Sequence, residues 1–116
     1  MKYGNKKIQI DGITFDSRKE AQRYSELKLL QRAGIIVGLD LQKEFELIPA
    51  QYETVINKAG KKKKVCVERA VKYKADFAYF KNGEQIVEDT KGVRTKDYII
   101  KRKLMLWVFG IKIVEV

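Results

Sequence analysis

Residues 73–91 read YKADFAYFKNGEQIVEDTK. Two runs rich in apolar and aromatic residues flank Asn82-Gly83, a dipeptide that tolerates the positive φ values of a two-residue hairpin turn. With that pair in the loop, Lys81 faces Glu84, Asp76 faces Asp89 and Lys74 faces Lys91. Side chains alternate along a strand, so Asp76, Ala78, Val87, Asp89 and Lys91 share one face, while Phe77, Tyr79, Ile86, Glu88 and Thr90 share the other.

Working outward, the spacing predicts one strand over Val65–Phe80 and its partner over Glu84–Lys91. Toward the N-terminus, Ile8–Ile10 and Ile13–Phe15 flank Asp11-Gly12 and form a second, shorter hairpin. Ser17 opens a helix that runs to Ala33, with Ala21, Tyr24, Leu27 and Leu30 at helical spacing and Gly34 placed to end it. From Ile35 to Val55 the residues are β-branched and aromatic, giving one strand, or two with a bend at Pro49. Asn57–Lys64 is a basic, glycine-containing stretch without periodicity and reads as a mobile loop. Thr95 caps a second helix over Lys96–Val108, with Ile99, Ile100, Leu104 and Trp107 facing inward; Gly110 ends it, and Ile111–Val116 is a last strand. A strand, helix, strand ending makes a right-handed crossover, placing the last strand parallel to the one that leads to Lys91. The fold class is α/β: a mixed sheet flanked by two helices, with an N-terminal β-hairpin, in a single domain of 116 residues.

Composition narrows the chemistry. Twenty-five Lys and Arg against 15 Asp and Glu leave a formal charge of +10, which favours a polyanionic partner. No segment is apolar enough to enter a bilayer, so nucleic acid comes before a membrane. The single Cys66 cannot form an intramolecular disulfide and is expected as a packed core thiol. The opening residues MKYGNKKIQIDG lack the apolar stretch of a secretory signal, which together with Cys66 points to a reducing cytoplasm. The chain contains no histidine, which excludes Ser-His-Asp triads, Cys-His pairs and histidine-ligated zinc. Hydrolytic chemistry must therefore run on carboxylates, lysine and an oxygen-liking cation, Mg²⁺ or Mn²⁺.

Two carboxylates directly opposite on one sheet face lie about 5 Å apart at Cβ and repel each other unless something compensates. A divalent cation is the natural compensation. Lys91, two residues past Asp89 on the same face, can orient a water or stabilise charge developing on phosphate. As a bare tripeptide, Asp-x-Lys is common, and an exposed acidic pair softened by lysines is its ordinary explanation. The facing Asp76 and the flanking pattern turn the balance toward a metal and phosphate site.

Tyr73-Lys74-Ala75-Asp76-Phe77, followed by Ile86-Val87-Glu88-Asp89-Thr90-Lys91-Gly92, resembles the active-site core of PD-(D/E)XK nucleases. Together with Ile8–Ser17, the chain is similar over most of residues 3–116 to short phage and prophage proteins grouped with junction-resolving endonucleases. The resemblance implies a restriction-endonuclease-like core, metal ligation by Asp76 and Asp89, a catalytic role for Lys91, and, for a phage-encoded protein, the cytoplasm of a bacterial host. It departs from the usual motif in having Ala75 where proline often precedes the first acidic residue. Related nucleases take a further acidic ligand from the first helix, and Glu20 matches that position. Ser17-x-x-Glu20 is equally a capping box, in which Glu20 bonds back to the Ser17 amide. Glu88 competes with Asp89 but lies on the opposite face from Lys91. Gln42 stands where related sequences also carry glutamine, either for a site role or for a hydrogen bond inside the sheet.

Lys61, Lys62, Lys63 and Lys64, together with Lys96, Lys101, Arg102 and Lys103 on the second helix, are candidate contacts to a phosphate backbone, with a solvated charged face as the ordinary alternative, and Arg94 is the best placed single phosphate clamp. Tyr98, on the first turn of the same helix, could touch substrate, but core packing is its expected role. The expected function is metal-dependent hydrolysis of phosphodiesters in DNA, with branched DNA such as a four-way junction as the substrate implied by the resemblance. The alternative is a basic nucleic-acid-binding module without chemistry. Cutting two strands of a junction needs two centres, so a homodimer is expected, with Ile8–Phe15 and Ile35–Leu41 as its surfaces.

Overall fold

A computed structural model describes residues 7–116. The reading of residues 1–6 as free of a secretory leader, and the resemblance over residues 3–6, lie outside the described residues. The element order is β1 (Ile8–Ile10), β2 (Ile13–Phe15), α1 (Arg18–Arg32), β3 (Val37–Ile48), β4 (Gln51–Ile56), β5 (Lys62–Glu68), β6 (Val71–Lys81), β7 (Glu84–Asp89), α2 (Lys96–Phe109) and β8 (Val114–Glu115). Four strands make a mixed sheet in the order β3-β6-β7-β8, antiparallel except for the parallel β7–β8 pair. The protein is therefore α/β, with two helices and an N-terminal hairpin.

Both hairpin turns follow from their dipeptides. Asp11 and Gly12 have φ of 54° and 76°, and Asn82 and Gly83 have 53° and 78°, the geometry that matches the right-handed twist of paired strands. The second turn sets Lys81 against Glu84, and the ladder runs from there to Phe77 against Glu88, the register that the sequence requires. Ser17 caps α1, its Oγ accepting from the Glu20 amide at 3.1 Å, and Gly34 follows the helix with φ 78°.

The core has two parts, one on each face of the sheet. Phe15, Ala21, Tyr24, Leu27, Ile36, Phe77 and Tyr79 pack under α1 and the β1–β2 hairpin. Phe45, Leu47, Tyr73, Ala75, Ala78, Val87, Met105 and Ile113 pack with Tyr98 under α2. Strict alternation would put residues 73, 75, 77 and 79 on one face, yet Tyr73 and Ala75 belong to the α2 side and Phe77 and Tyr79 to the α1 side. The switch falls at Asp76. Across from it on β3, between the Leu41–Phe77 and Lys43–Ala75 rungs, Gln42 has φ 53°, a left-handed conformation rare in a strand. The two irregularities are opposite each other, so the ladder keeps its register while both strands turn their side chains over.

Four sequence expectations change. The strand over Val65–Phe80 is two strands, β5 and β6, separated by Arg69-Ala70, and the mobile loop at Asn57–Lys64 is a short turn followed by β5. Cross-strand bonding uses only main-chain groups, so a run of lysines carries it as well as a run of valines. Cys66 is exposed on β5; no core lies beneath this part of the chain. In α2 the inward line is Tyr98 and Met105, so Trp107, two residues and roughly 200° farther round the helix than Met105, is 85% exposed, and Ile100 is exposed too. In the two segments expected as dimer surfaces, Ile8, Ile10, Ile13, Leu39 and Leu41 pack against the α1-side core, while Ile35 and Val37 are exposed; further exposed apolar side chains lie at Leu106–Phe109.

The β4–β5 hairpin stands off this body. Every residue of the two strands is exposed except Val55, which is partly covered. The radius of gyration is 18.8 Å, against roughly 13 Å for a compact chain of this length.

Candidate active site

Glu20, Asp76, Asp89 and Lys91 come together in one cleft of about 470 Å³, walled also by Asp16, Ser17, Lys19, Lys74, Thr90 and Gly92. Each arrives from a different element. Glu20 lies in the first turn of α1, held there by the Ser17 cap; Asp76 lies at the face switch of β6; Asp89 ends β7; Lys91 follows it. The parallel pairing of Asp89 with Glu115 on β8 seats the end of β7 inside the sheet rather than at its edge.

The Asp76 carboxylate is fixed by its neighbours. Its Oδ2 accepts from the Thr90 amide at 2.9 Å and the Thr90 hydroxyl at 2.7 Å, and its Oδ1 accepts from Gln42 Nε2 at 3.3 Å. The same Gln42 amide donates to Glu20 Oε2 at 3.4 Å, so it bridges two acidic residues. Asp89 Oδ2 accepts from the Tyr73 hydroxyl at 2.6 Å and lies 3.2 Å from Lys91 Nζ. Lys91 in turn sits 4.3 Å above the centre of the Tyr98 ring, an attraction that holds the ammonium over the cleft. Glu20 does not close a reciprocal capping box: its amide caps against Ser17, while its carboxylate turns to Gln42.

Burial and mutual repulsion raise two of these carboxyls. Glu20 is pushed up to about 7, chiefly by burial, then by the charges of Asp76, Asp16 and Asp89. Asp89 is pushed up to about 6, again by burial first and then by its contact with Asp76; the Tyr73 hydroxyl and Lys91 work in the opposite direction. Four crowded carboxyls, Asp16, Glu20, Asp76 and Asp89, among three lysines of which only Lys91 makes an ion pair with them, make an electrostatically unbalanced site, the kind that functional centres tend to hold.

The donor chemistry fits a hard divalent cation: carboxylate oxygens without nitrogen or sulfur. Among the described residues, no group of three or more Asp, Glu or Cys side chains stands at ligating spacing. Gln42 occupies the space between Glu20 and Asp76, and Thr90 holds Asp76 Oδ2.

The remaining sequence candidates lie elsewhere. Lys61–Lys64 are at the far end of the β4–β5 hairpin. Arg94 is not a free clamp: it forms an ion pair with Glu115 through Nη2 at 2.6 Å and a bond through Nε at 2.8 Å. Tyr98 and Arg102 bond the same carboxylate, which is driven down to about 2, first by Arg94 and next by Tyr98. Lys101 pairs with Asp97 at 3.5 Å, and Lys96 and Lys103 are exposed. Sequence reasoning left Lys74, Lys19, Thr90 and Tyr73 without a site role. Alternation placed Lys74 opposite Lys91 and so carried a signal; nothing local in the sequence marks Thr90 as the partner of Asp76.

No curated protein matches the chain, and no solved structure does. A family described as "Protein of unknown function (DUF1064)" matches residues 1–113, and the chain belongs to that family.

Proposed function

We propose that the protein is a metal-dependent endonuclease that hydrolyses phosphodiesters in DNA. The observation that carries this reading is the convergence of Glu20, Asp76, Asp89 and Lys91 in one open cleft of a strongly basic chain. A module that only held an anion would gain nothing from three carboxyls that repel it. The similarity of Tyr73–Phe77 and Ile86–Gly92 to PD-(D/E)XK nucleases supports the same assignment.

In this reading Asp76 and Asp89 would hold Mg²⁺ or Mn²⁺, with Glu20 as a third acidic partner. The bound cation supplies charge neutralisation and Lewis acidity toward a phosphate oxygen. Thr90 and Gln42 fix the Asp76 carboxylate, so that it does not reorganise during the reaction. Tyr73 does the same for Asp89. Lys91, steadied by Asp89 and the Tyr98 ring, donates to a water or to a non-bridging phosphate oxygen as negative charge grows there. Lys74 and Lys19 line the approach and attract the phosphate backbone. Branched DNA as substrate and a homodimer as the active form belong to the proposal on the strength of the resemblance.

The test is incubation with linear, nicked, flapped and four-way DNA, with Mg²⁺, with Mn²⁺ and with excess chelator. Cleavage that requires the cation is the expected result. Full cleavage in chelator would overturn the metal mechanism, and absence of cleavage on every substrate would overturn the enzyme assignment.

A further inference from the structure

The β4–β5 hairpin buries almost nothing, and a two-stranded ribbon on its own is marginally stable in water. Its distal half is nevertheless well organised. At the tip, the Asn57 amide donates to the Lys61 carbonyl and the Gly60 amide to the Asn57 carbonyl, each at 2.9 Å. Asn57 Oδ1 accepts from the amides of Ala59 and Lys61, also at 2.9 Å each. Gly60 takes the left-handed conformation, with φ 78°. The turn is thus held by its own asparagine.

Beyond the body, charge is segregated along the ribbon. Lys58, Lys61, Lys62, Lys63 and Lys64 occupy the distal half, while Glu53 and Glu68 lie nearer the base. Among the described residues, none of these five lysines pairs with a carboxylate. Lys64 instead lies 5.5 Å from the centre of the Tyr52 ring. Rung partners share a face, so Lys62 and Lys64, opposite Ile56 and Thr54, project from one face, and Lys63, opposite Val55, from the other. A ribbon that lay flat on a row of phosphates would need its lysines on one face only. Lysines on both faces suit a groove, which has phosphates on either wall, and the major groove of duplex DNA admits a two-stranded ribbon.

We propose that the β4–β5 ribbon is a second DNA-binding element, separate from the cleft, which enters a groove of duplex DNA and grips the phosphates of both walls. The proposal takes its nucleic-acid partner from the functional reading above but does not depend on the chemistry. From the Gln42–Asp76 position in β3 and β6 to the Ile56–Lys62 rung of the ribbon, the chain reaches at most about 45 Å at about 3.3 Å per residue. That corresponds to about 13 base pairs, so the contact falls roughly one helical turn from the cleft.

The experiment is anisotropy binding in chelator, where no cleavage occurs, with the parent and the quadruple variant Lys61→Gln, Lys62→Gln, Lys63→Gln, Lys64→Gln. Duplexes of roughly 30 and roughly 8 base pairs, chosen to exceed and fall short of that reach, are titrated across a range of KCl. On the long duplex the variant is expected to bind about tenfold more weakly or worse, with a salt slope shallower by about 2 to 3. On the short duplex the two proteins bind alike. Equal affinity and slope on the long duplex would overturn the proposal, as would an equal loss on both lengths. A parent that is dimeric by light scattering and a variant that is monomeric with DNA affinity unchanged would assign the ribbon to a second copy of the chain. A cleavage assay run alongside separates the two readings: an inactive parent with these binding curves leaves the ribbon standing, and an active parent with identical curves removes the ribbon alone.

Discussion

Glu88 and Asp89 are neighbours on β7, equally hidden at 1% and 2% exposure, yet the two faces of the sheet treat them in opposite ways. Glu88 points under α1, where Arg23 donates to both of its oxygens at 2.7 Å and the Tyr79 hydroxyl donates a short bond to one of them. The Arg23 guanidinium is correspondingly held more firmly in its charged form by Glu88. Asp89 points the other way, into a cleft walled by three more carboxyls, Asp16, Glu20 and Asp76, and by three lysines, of which Lys91 alone pairs with it. A buried acid is thus not in itself a sign of function. Glu88 is a closed account of charge and hydrogen bonds; Asp89 is left with an excess of negative charge beside an opening. That difference is what separates a structural ion pair from a candidate site on the same strand.

The comparison breaks most visibly through its open side. Asp76→Asn and Asp89→Asn are expected to lower DNA cleavage by about a thousandfold, the order lost elsewhere when one preorganised charge-stabilising group is removed. DNA affinity stays equal or tightens, since each change removes negative charge near phosphate, and the melting temperature does not fall. Parallel loss of binding and cleavage in a folded protein would make these residues structural after all. On the closed side, Arg23→Met leaves Glu88 buried without its partner. It should cost about 3 kcal/mol of stability, rather less to the extent that Arg23 is itself 26% exposed, read as a fall of roughly 10 °C in Tm. Activity measured below the new Tm should be retained. An unchanged Tm would mean that the buried Glu88 does not depend on Arg23, and the contrast with Asp89 would collapse.

Local chemistry made much of this legible beforehand. Asn82-Gly83 fixes the turn, the turn fixes the register, and the register brings Asp76 to Asp89; Ser17 fixes the start of α1 and hence the position of Glu20. What stayed hidden depends on distant parts of the chain. Alternation assumes that a strand keeps its faces, and nothing in the sequence marks the turnover at Gln42 and Asp76. The azimuth of α2 is set by what it packs on, so Met105 turned inward while Ile100 and Trp107 turned out. Arg94 looked like a free cation because its partner, Glu115, is far along the chain and reaches it only through the crossover to β8.

Glu20 tests whether the first helix belongs to the open side. The cap at Ser17 uses the Glu20 amide, which Glu20→Gln leaves in place, so the helix start should be intact. The variant is expected to lose about ten- to a hundredfold in cleavage, with a Tm at pH 8 equal to or above that of the parent because one of the four repelling carboxyls of the cleft is gone. Near-normal activity would reduce Glu20 to a bystander of the cleft.

The smallest effect concerns stability and separates the two faces by pH. Glu20 and Asp89, with ordinary values of 4.5 and 3.8, reach about 7 and about 6 in the folded chain. Between about pH 4 and pH 7 the folded protein therefore holds protons that the unfolded chain has released, and the contribution of these groups to stability is present below that window and lost as pH rises through it. A cation in the cleft binds the ionised carboxylates and competes with those protons. At pH 8, Mg²⁺ or Mn²⁺ at ten times its dissociation constant should add about 1.4 kcal/mol, seen as a rise of several degrees in Tm. At pH 5, where both carboxyls are largely protonated, the rise should nearly vanish, and Asp89→Asn should remove most of it at either pH. The Arg23–Glu88 pair has no such opening and contributes no cation dependence. A shift of equal size at both pH values, or one that survives in the variant, would place the cation outside the cleft.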